Sequence, residues 1–325
     1  MLTGFPPKGR YKVLIKCCTY NQSKYITDAL KGFVKQQTNF PFLAYVVDDA
    51  STDGEQEVIK RWINEHCNPD DVSEYDNEYA HVIMSKDKDN ANCTYAIYLL
   101  KKNLYGKPEK MTIHNFWREQ CEYEAICEGD DYWTDERKLQ KQVDWMEKNP
   151  NYTLCFHSAK IISEFPDPGY LHCENIEDRD YSSDELLEQW IAPTASFMYK
   201  LDILNYKIKN SKRILNGDIF IVLKSGALGK IRGMKDTMSC YRIHNGGVTY
   251  GKKEKLNRIL RYPDHFECIK ENFPNVASLY VKSSLMNAYY NRAHYQSSTK
   301  FKIKDFWKSF CASPIEFAKK VIKIL

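Results

Sequence analysis

The sequence predicts an α/β protein with a mainly parallel central sheet flanked by helices, followed by a helical C-terminal extension. Three observations support this fold class: apolar runs alternate with helical patterns, each run ends in a polar cluster, and the chain after Gly251 is helical and basic. Strands separated by helices of about 10–15 residues are typical of right-handed βαβ units. The composition, with 43% hydrophobic and 28% charged residues, is that of an ordinary globular chain.

Five short apolar runs predict the strands of the sheet. They lie at residues 13–18, 45–47, 81–84, 123–127 and 152–158. The helical patterns of the first half lie at 23–37, 58–63, 94–104 and 135–148. The second half predicts short helices at 183–190 and 219–224, and an antiparallel strand pair at 230–243.

Polar residues follow three of these predicted strands. They are Thr19-Tyr20-Asn21, Asp48-Asp49 and Glu128-Gly129-Asp130-Asp131. Ligands of parallel α/β sheets bind beyond the carboxyl ends of the strands. We therefore expect the three clusters to converge on one edge of the sheet.

The Glu128-Gly129-Asp130 segment is a candidate metal site. Carboxylates two residues apart, with glycine between them, can face one point where a strand breaks into a loop. Mg²⁺ and Mn²⁺ prefer oxygen ligands and take many of them from phosphate and water. A polar turn with an Asp helix cap explains the same residues, so both interpretations stay open.

Asp49 is a candidate for contact with a base or a ribose, because acidic residues past a strand have this role in other nucleotide folds. A cap at the next helix is the alternative, and Ser51 can supply the cap while Asp49 binds ligand. The chain contains neither Gly-x-x-x-x-Gly-Lys-Ser/Thr nor Gly-x-Gly-x-x-Gly. This disfavours a P-loop kinase and a standard NAD enzyme.

The ordered set Cys-Thr-Tyr-Asn, Val-Val-Asp-Asp-Ala-Ser-Thr-Asp-Gly and Cys-Glu-Gly-Asp-Asp-Tyr-Trp resembles glycosyltransferase family 2. The resemblance covers about residues 10–248. It implies the GT-A (Rossmann-like) fold and an inverting transfer from a nucleotide sugar. Within an expected domain of residues 1–250, it implies a nucleotide-sugar half at about 10–135 and an acceptor half at about 136–250, with 251–325 as the extension.

The resemblance also implies roles for individual residues. Asp130 matches the metal ligand of the family's Asp-x-Asp motif, for Mn²⁺ or Mg²⁺, and Glu128 stands where Asp is more usual. The residues expected to contact the donor are Thr19, Tyr20, Asn21, Asp49, Glu128, Asp131 and Arg242.

Asp218, in Asn216-Gly217-Asp218, resembles the catalytic base of the family. Inversion in one displacement needs a carboxylate near the acceptor hydroxyl, and a helix start favours its ionised form. A helix cap is the alternative role of Asp218.

Tyr241-Arg242-Ile243-His244 resembles a late segment of the family near the diphosphate. Arg242 is expected to pair with phosphate and His244 to bind metal or phosphate, with a structural His244 as the alternative. Gly246-Gly247 suggests a mobile loop over the donor. Trp133 is expected to pack beneath the metal motif, and His114 and Trp117 are expected as acceptor-side contacts.

Residues 300–325 form a basic tail with 7 Lys and 2 acidic residues, interleaved with aromatic and aliphatic side chains. The rest of the chain sums to a charge of −1, so we expect no nucleic-acid partner. A basic amphipathic tail favours an anionic membrane surface. Packing of its apolar face on the domain is the open alternative.

The resulting hypothesis is an enzyme of bacterial cell-surface polysaccharide synthesis. It moves a sugar, by the resemblance a hexose from a UDP-sugar, to a glycan or lipid-linked acceptor. The alternatives are a nucleotidyltransferase and a non-catalytic nucleotide-sugar-binding module. The odd number of 11 Cys and the absence of an apolar leader segment favour the cytoplasm, with peripheral contact at the inner face of the membrane.

Overall fold

The computed structural model describes residues 10–166, 173–246 and 252–322. Parts of the loop expected at Gly246-Gly247 and of the tail, at 323–325, lie outside these residues. The strands of the described residues are β1 (Tyr11–Thr19), β2 (Phe42–Asp48), β3 (Ser73–Asp76), β4 (Ala80–Lys86), β5 (Cys93–Leu100), β6 (Cys121–Ile126), β7 (Tyr132–Trp133), β8 (Tyr152–Ser163), β9 (Asp180–Tyr181), β10 (Met198–Lys200) and β11 (Lys230–Ile243).

The helices cover the sheet in the first half and dominate the end of the chain. In the described residues they are α1 (Ile26–Val34), α2 (Glu55–His66), α3 (Pro108–Arg118), α4 (Lys138–Lys148), α5 (Ser183–Gln189), α6 (Gly217–Leu228), α7 (Lys252–Asn272), α8 (Ser278–Tyr295), α9 (Thr299–Ala312) and α10 (Pro314–Ile322).

The sheet has the strand order β3-β4-β5-β2-β1-β6-β10-β8-β11-β7. Its centre, β5-β2-β1-β6, is wholly parallel, and β8 and β11 form a second parallel pair. The remaining neighbours along this order pair antiparallel. The α/β class with a parallel core is therefore confirmed, and antiparallel strands extend that core on both sides.

The parallel core is buried on both faces. Alternate residues of β1 point to opposite sides, so that Val13 and Ile15 join the core under α1, α2 and α4, while Leu14 joins the core under α3. All seven residues of β2 are buried. Continuous apolar runs are expected of strands covered by helices on both faces.

The helix predicted at 94–104 is wrong, because most of these residues belong to β5, which ends at Leu100. All eight residues of β5, Cys-Thr-Tyr-Ala-Ile-Tyr-Leu-Leu, are buried. An amphipathic helix needs a polar face, which this run lacks, and its aromatic and β-branched residues suit a buried strand. The helix of this region is α3, which begins at Pro108.

The antiparallel pair predicted at 230–243 is also wrong. These residues form the single strand β11, which runs parallel to β8 along its length and pairs with β7 only at Ser239 and Cys240. The polar Lys235-Asp236 pair resembles a turn in the sequence. In the structure it lies in a stretch of shifted register between Met234 and Ser239, as in a β-bulge.

The chain divides into two compact units. The first contains the described residues of Met1–Asp180, Trp190–Ile203 and Lys230–His244, and the second those of Tyr181–Gln189, Leu204–Gly229 and Asn245–Leu325. The second unit thus combines α6 with the C-terminal helices. Within the described ranges, none of the helices has the length and apolar character needed to cross a membrane.

Candidate active site

Three strand ends meet at the carboxyl edge of the parallel core. Because β1, β2 and β6 are adjacent and parallel, Thr19, Asp48 and the end of β6 lie on the same side of the sheet. The Asp49 N–H donates to the Thr19 carbonyl at 3.0 Å, and the Gly129 N–H donates to the Cys18 carbonyl at 3.3 Å. The three polar clusters of the sequence therefore form one site.

Gly129 is required by this close approach. A Cβ atom at position 129 would lie 2.1 Å from Oγ1 and 2.6 Å from Cβ of Thr19. Both distances are far shorter than a van der Waals contact, so only glycine fits without moving the backbone. The turn that carries Glu128 and Asp130 consequently packs directly against the end of β1.

Asp130 and His244 form a carboxylate–imidazole pair. Asp130 Oδ2 lies 3.0 Å from His244 Nε2 and accepts a hydrogen bond from Gln22 Nε2 at 3.3 Å. His244 directly follows β11, is 5% exposed and packs against the Tyr25 ring at 4.8 Å between centroids. Carboxylate oxygen and imidazole nitrogen are both ligands of Mn²⁺-type cations, so this pair could hold one.

The carboxylates around Asp130 are electrostatically crowded. Burial raises the pKa of Glu128 to about 7, and the charge of Asp130 adds to this rise. Burial also raises the pKa of Asp131 well above its usual range, with further contributions from Asp130 and Glu128. A nearby cation would favour the ionised forms of these groups, since opposite charge lowers the pKa of a carboxyl group.

Hydrogen bonds hold the flanking carboxylates in place. Glu128 Oε2 accepts from Thr194 Oγ1 at 2.9 Å, and Asp131 Oδ1 accepts from the Arg242 N–H at 2.8 Å. The Asp131 contact ties the end of β11 to the acidic turn. Asp131 therefore contributes to the position of Arg242 whatever its role toward a donor.

The Arg242 guanidinium is part of the same cluster. It donates to the Asp130 carbonyl at 2.9 Å and to Asp28 Oδ2 at 2.6 Å. It also stacks between the rings of Tyr25 and Tyr132, at 5.0 and 4.6 Å from their centroids. These contacts fix a positive charge beside the acidic turn, in a position suited to a diphosphate.

Asp49 is buried, and both of its carboxylate oxygens accept hydrogen bonds. Its Oδ1 accepts from the Leu104 N–H at 2.6 Å, and its Oδ2 accepts from Lys110 Nζ at 2.7 Å. The Asn103 side chain adds a hydrogen bond to the Asp49 carbonyl at 3.1 Å. A carboxylate can accept up to four hydrogen bonds, so Asp49 keeps capacity for a base while it anchors the 103–110 segment.

Thr19, Tyr20 and Asn21 have three different environments. Thr19 is buried and donates from Oγ1 to Glu55, whereas Tyr20 is 48% exposed. Asn21 has φ +56°, and its Oδ1 accepts from the Thr52 N–H at 2.8 Å. Tyr20 is thus the member of this segment with a ring face open to a ligand.

Several residues of the site were not predicted from the sequence. Glu55 is wholly buried and accepts from Thr19, the Gln22 N–H and Ser51, and burial raises its pKa to about 7. The sequence signals Glu55 only by its position directly after Gly54, and in that position it resembles any acidic residue in the first turn of a helix. Lys110 and Gln22 carry no sequence signal, since both reach the site only through the fold.

His114 and Trp117 are not acceptor-side contacts. Both belong to α3 and are buried against the sheet, where His114 Nδ1 is 2.8 Å from the Tyr45 hydroxyl and Trp117 Nε1 donates to the Tyr98 hydroxyl at 2.9 Å. Trp133 is 4% exposed and belongs to the core cluster on the α1 side of the sheet. Its predicted packing role therefore agrees with its position.

The residues at this edge fit a cation that keeps ligands from phosphate and water. No group of three or more His, Cys, Asp or Glu residues able to hold a metal ion occurs in 10–166, 173–246 and 252–322. Mg²⁺ sites beside phosphates commonly use only one or two protein carboxylates. The Asp130–His244 pair, crowded by Glu128 and Asp131, meets that smaller requirement.

Asp218 belongs to the second unit. It lies in the first turn of α6, and its Oδ1 accepts from the Ile219 N–H at 2.8 Å. The preceding residues are held by α7, because Arg258 donates to Asn216 Oδ1 at 3.0 Å and the Leu215 N–H donates to His265 Nδ1 at 3.2 Å. The hydrogen bond from the Ile219 N–H, which resembles a helix cap, is compatible with a role of Asp218 as a base.

Part of the chain matches one known protein family. Residues 15–81 match the model of Glycosyl transferase family 2. Uncharacterised proteins of Mycobacterium bovis and Mycobacterium tuberculosis are each 30% identical over 242 residues, which cover 71% of this chain and 58% of theirs. The chain thus spans less than two thirds of the length of these curated relatives.

The fold is shared with TarS of S. aureus. Crystal structures of TarS 1–349 with UDP-GlcNAc and with UDP give TM-scores of 0.56 and 0.54 at 16% and 15% identity, covering 94% of this chain and 82% of theirs. This likeness establishes the GT-A fold. The family match and the ordered motifs support a glycosyltransferase of family 2.

Proposed function

We propose that the protein is an inverting, metal-dependent hexosyltransferase. It transfers a sugar from a nucleotide diphosphate sugar, most simply a UDP-sugar, to a hydroxyl group of a glycan or lipid-linked acceptor. The observation that carries this proposal is the Asp130–His244 pair among crowded carboxylates at the carboxyl edge of the sheet. That is the edge at which parallel α/β folds bind nucleotides.

The nucleotide assignment is supported by two further observations. TarS, which has the same fold, was crystallised with UDP and with UDP-GlcNAc. In this chain the exposed Tyr20 ring and the buried Asp49 carboxylate lie past neighbouring strands, β1 and β2. An aromatic face and a hydrogen-bond acceptor are what a uracil base needs.

In the proposed donor complex, Asp130 and His244 would hold Mn²⁺ or Mg²⁺, and Arg242 would add a fixed positive charge. A bound cation would supply charge stabilisation for the departing diphosphate. Glu128 and Asp131 orient the turn around it through Thr194 and the Arg242 backbone. The cation and the Arg242 guanidinium would favour the transition state, because negative charge grows on the leaving group.

Asp218 is the proposed base. The acceptor oxygen forms a bond to the anomeric carbon, the bond from that carbon to the diphosphate oxygen breaks, and the acceptor proton passes to the Asp218 carboxylate. The nucleotide diphosphate leaves with the electron pair of the broken bond. The first turn of α6, where local N–H groups favour a carboxylate, supports the ionised form that this step requires.

We further propose that the reaction occurs in the bacterial cytoplasm, on the inner face of the membrane, during synthesis of a cell-surface polysaccharide. All 11 cysteines, each within the described residues, are free thiols. A reducing compartment is the usual location for such a set.

A screen of nucleotides and nucleotide sugars tests the donor assignment. We expect UDP with Mn²⁺ to raise the melting temperature of the protein, and the same nucleotide with excess chelator to raise it much less. The Asp130→Ala variant should lose the metal-dependent part of the increase. No response to any nucleotide, with or without metal, would contradict the proposal.

The Asp218→Asn variant tests the base. We expect it to lower kcat by about a hundredfold or more while donor affinity stays unchanged, because general-base catalysis typically contributes that much. Glu57→Gln is the matched control, since Glu57 is an exposed acid in the first turn of α2. Full turnover in Asp218→Asn would remove Asp218 from the reaction, and no turnover in the native protein would favour a binding module.

A further inference from the structure

The last two helices expose an unusual amount of apolar surface. Of the fifteen large hydrophobic side chains that are exposed in the described residues, six lie in α9 and α10. Soluble proteins rarely leave such side chains clustered unless the surface has a partner. They are Phe301 (53% exposed), Ile303 (64%), Trp307 (65%), Phe310 (40%), Ile315 (71%) and Ile322 (69%).

The exposed residues of α9 form one row. Ile303, Trp307 and Phe310 are spaced four and three residues apart, which places them on one face of the helix. The rings of Trp307 and Phe310 stack at 5.8 Å between centroids. In α10, Ile315 and Ile322 are seven residues apart and likewise share a face.

Other faces of these helices are already packed within the second unit. Ser309 donates to the Met286 carbonyl at 2.7 Å, and Arg292 donates to both oxygens of the buried Asp305 at 2.8 and 2.9 Å. Phe306 and Phe317 pack against the Tyr290 ring. The fold therefore uses one apolar side of the tail for packing, and leaves the Ile303–Trp307–Phe310 row exposed.

A row of lysines runs beside the apolar row. Lys300, Lys304 and Lys308 are spaced four residues apart and are exposed. The two acidic residues of these helices have basic partners, Asp305 with Arg292 and Glu316 with Lys319. The exposed side of α9 thus presents positive charge next to apolar and aromatic side chains.

We infer that this surface, formed by Ile303, Trp307, Phe310 and the lysine row, is a docking site for an anionic lipid bilayer. A helix of 14 residues is too short to span a membrane but can lie in its plane. Trp307 would sit among the headgroups, where its amphipathic ring is favoured, and the lysines would contact anionic lipid. The inference does not depend on the transferase reaction.

A second copy of the chain is a poorer occupant of this surface. A symmetric dimer uses the same patch on both subunits, so the two lysine rows would approach each other. Like charges brought together in this way oppose association. An anionic bilayer instead matches the charge and takes up the apolar row.

Co-sedimentation of the full chain with vesicles, without donor or metal, tests the inference. We expect binding to vesicles with about one third phosphatidylglycerol in phosphatidylcholine, and much weaker binding to phosphatidylcholine alone. The double variant Lys300→Gln/Lys304→Gln should bind about thirtyfold more weakly, since each lysine near an anionic surface is worth about fivefold. Ile303→Ser/Trp307→Ser should also reduce binding, by at least tenfold.

A matched control distinguishes the loss of this surface from the loss of any other exposed apolar side chain. Tyr105→Ser removes another exposed apolar side chain, 71% exposed in the first unit, and should leave vesicle binding unchanged. All substituted residues are exposed, so melting temperatures should stay within about a degree or two.

Equal binding to neutral vesicles, or no binding at low salt, would overturn the inference. A dimer without lipid that Ile303→Ser/Trp307→Ser dissociates would assign the surface to a second copy.

Discussion

Two acidic segments follow β2 and β6, the strands on either side of β1, and their carboxylates have different surroundings. In the segment after β2, each of the three carboxylates accepts hydrogen bonds from protein donors. The donors are Ser51 and Gln56 for Asp48, Leu104 and Lys110 for Asp49, and Ser23 and Glu55 for Asp53. In the segment after β6, burial and mutual repulsion raise the pKa values of Glu128 and Asp131. In the first segment Lys110 forms an ion pair with Asp49, whereas in the second the mutual repulsion of the carboxylates remains although Arg242 lies beside them.

This difference teaches how two runs that look alike in the sequence are to be distinguished. Asp-Asp and Glu-Gly-Asp-Asp both follow apolar strands and both permit a capping role. The partners that distinguish them, such as Lys110 on α3 and Thr194, come from distant parts of the chain. The counting of carboxylates alone therefore does not locate a metal site.

The largest expected effect comes from the second segment. Asp130→Asn removes the charge that pairs with His244, and we expect metal-dependent turnover to fall by about a hundredfold or more. Asp53→Asn is the matched control in the first segment, where Asp53 only accepts two backbone N–H bonds. Comparable losses in the two variants, measured as kcat/KM over a Mn²⁺ titration, would erase the distinction between the segments.

The second largest effect is expected in the pH dependence of Mn²⁺ binding. Because the pKa of Glu128 is raised to about 7, this carboxyl group is protonated in the acidic range, and a cation must displace its proton. We expect Mn²⁺ affinity to fall by up to about tenfold for each pH unit below 7. Calorimetric titration between pH 5.5 and roughly 8 measures this slope, and Glu128→Gln should make it shallower. A native profile that is flat over this range would contradict the crowding of the acidic turn.

The smallest effect is expected in the first segment. Asp49→Asn keeps the shape of the side chain but removes the charge opposite Lys110, which is 12% exposed. We expect UDP to bind about fivefold more weakly, the effect of roughly one hydrogen bond, with Mn²⁺ affinity unchanged. Fluorescence or calorimetric titration of UDP measures the change. A large loss of Mn²⁺ affinity in this variant would place Asp49 in the metal site instead.

The sequence predicted the parallel core because β1, β2 and β6 are short apolar runs that end in polar residues. It failed for β5, whose run of eight buried residues has no periodicity by which a strand differs from a buried helix. It also failed for β11, which is one strand and not the antiparallel pair predicted at 230–243. In both cases pairing with a distant strand decided the outcome.

The same limit applies to the site. Asp130 and His244 were predicted from motifs, and the structure brings them within 3.0 Å. Glu55, Gln22 and Lys110 could not be found, because their contacts depend on loops that the sequence does not place. The roles of Asp49 and Asp218 stay predictions until ligand binding and turnover are measured.

The contact between Gly129 and Thr19 has a consequence for changing donor specificity. No side chain can be added at 129 without displacing Thr19 at the end of β1, a residue that we propose contacts the donor. Random libraries at this position should therefore return glycine whichever sugar is selected. Changes of donor specificity have to be sought at other positions of the site, such as Thr194, whose hydroxyl donates to Glu128.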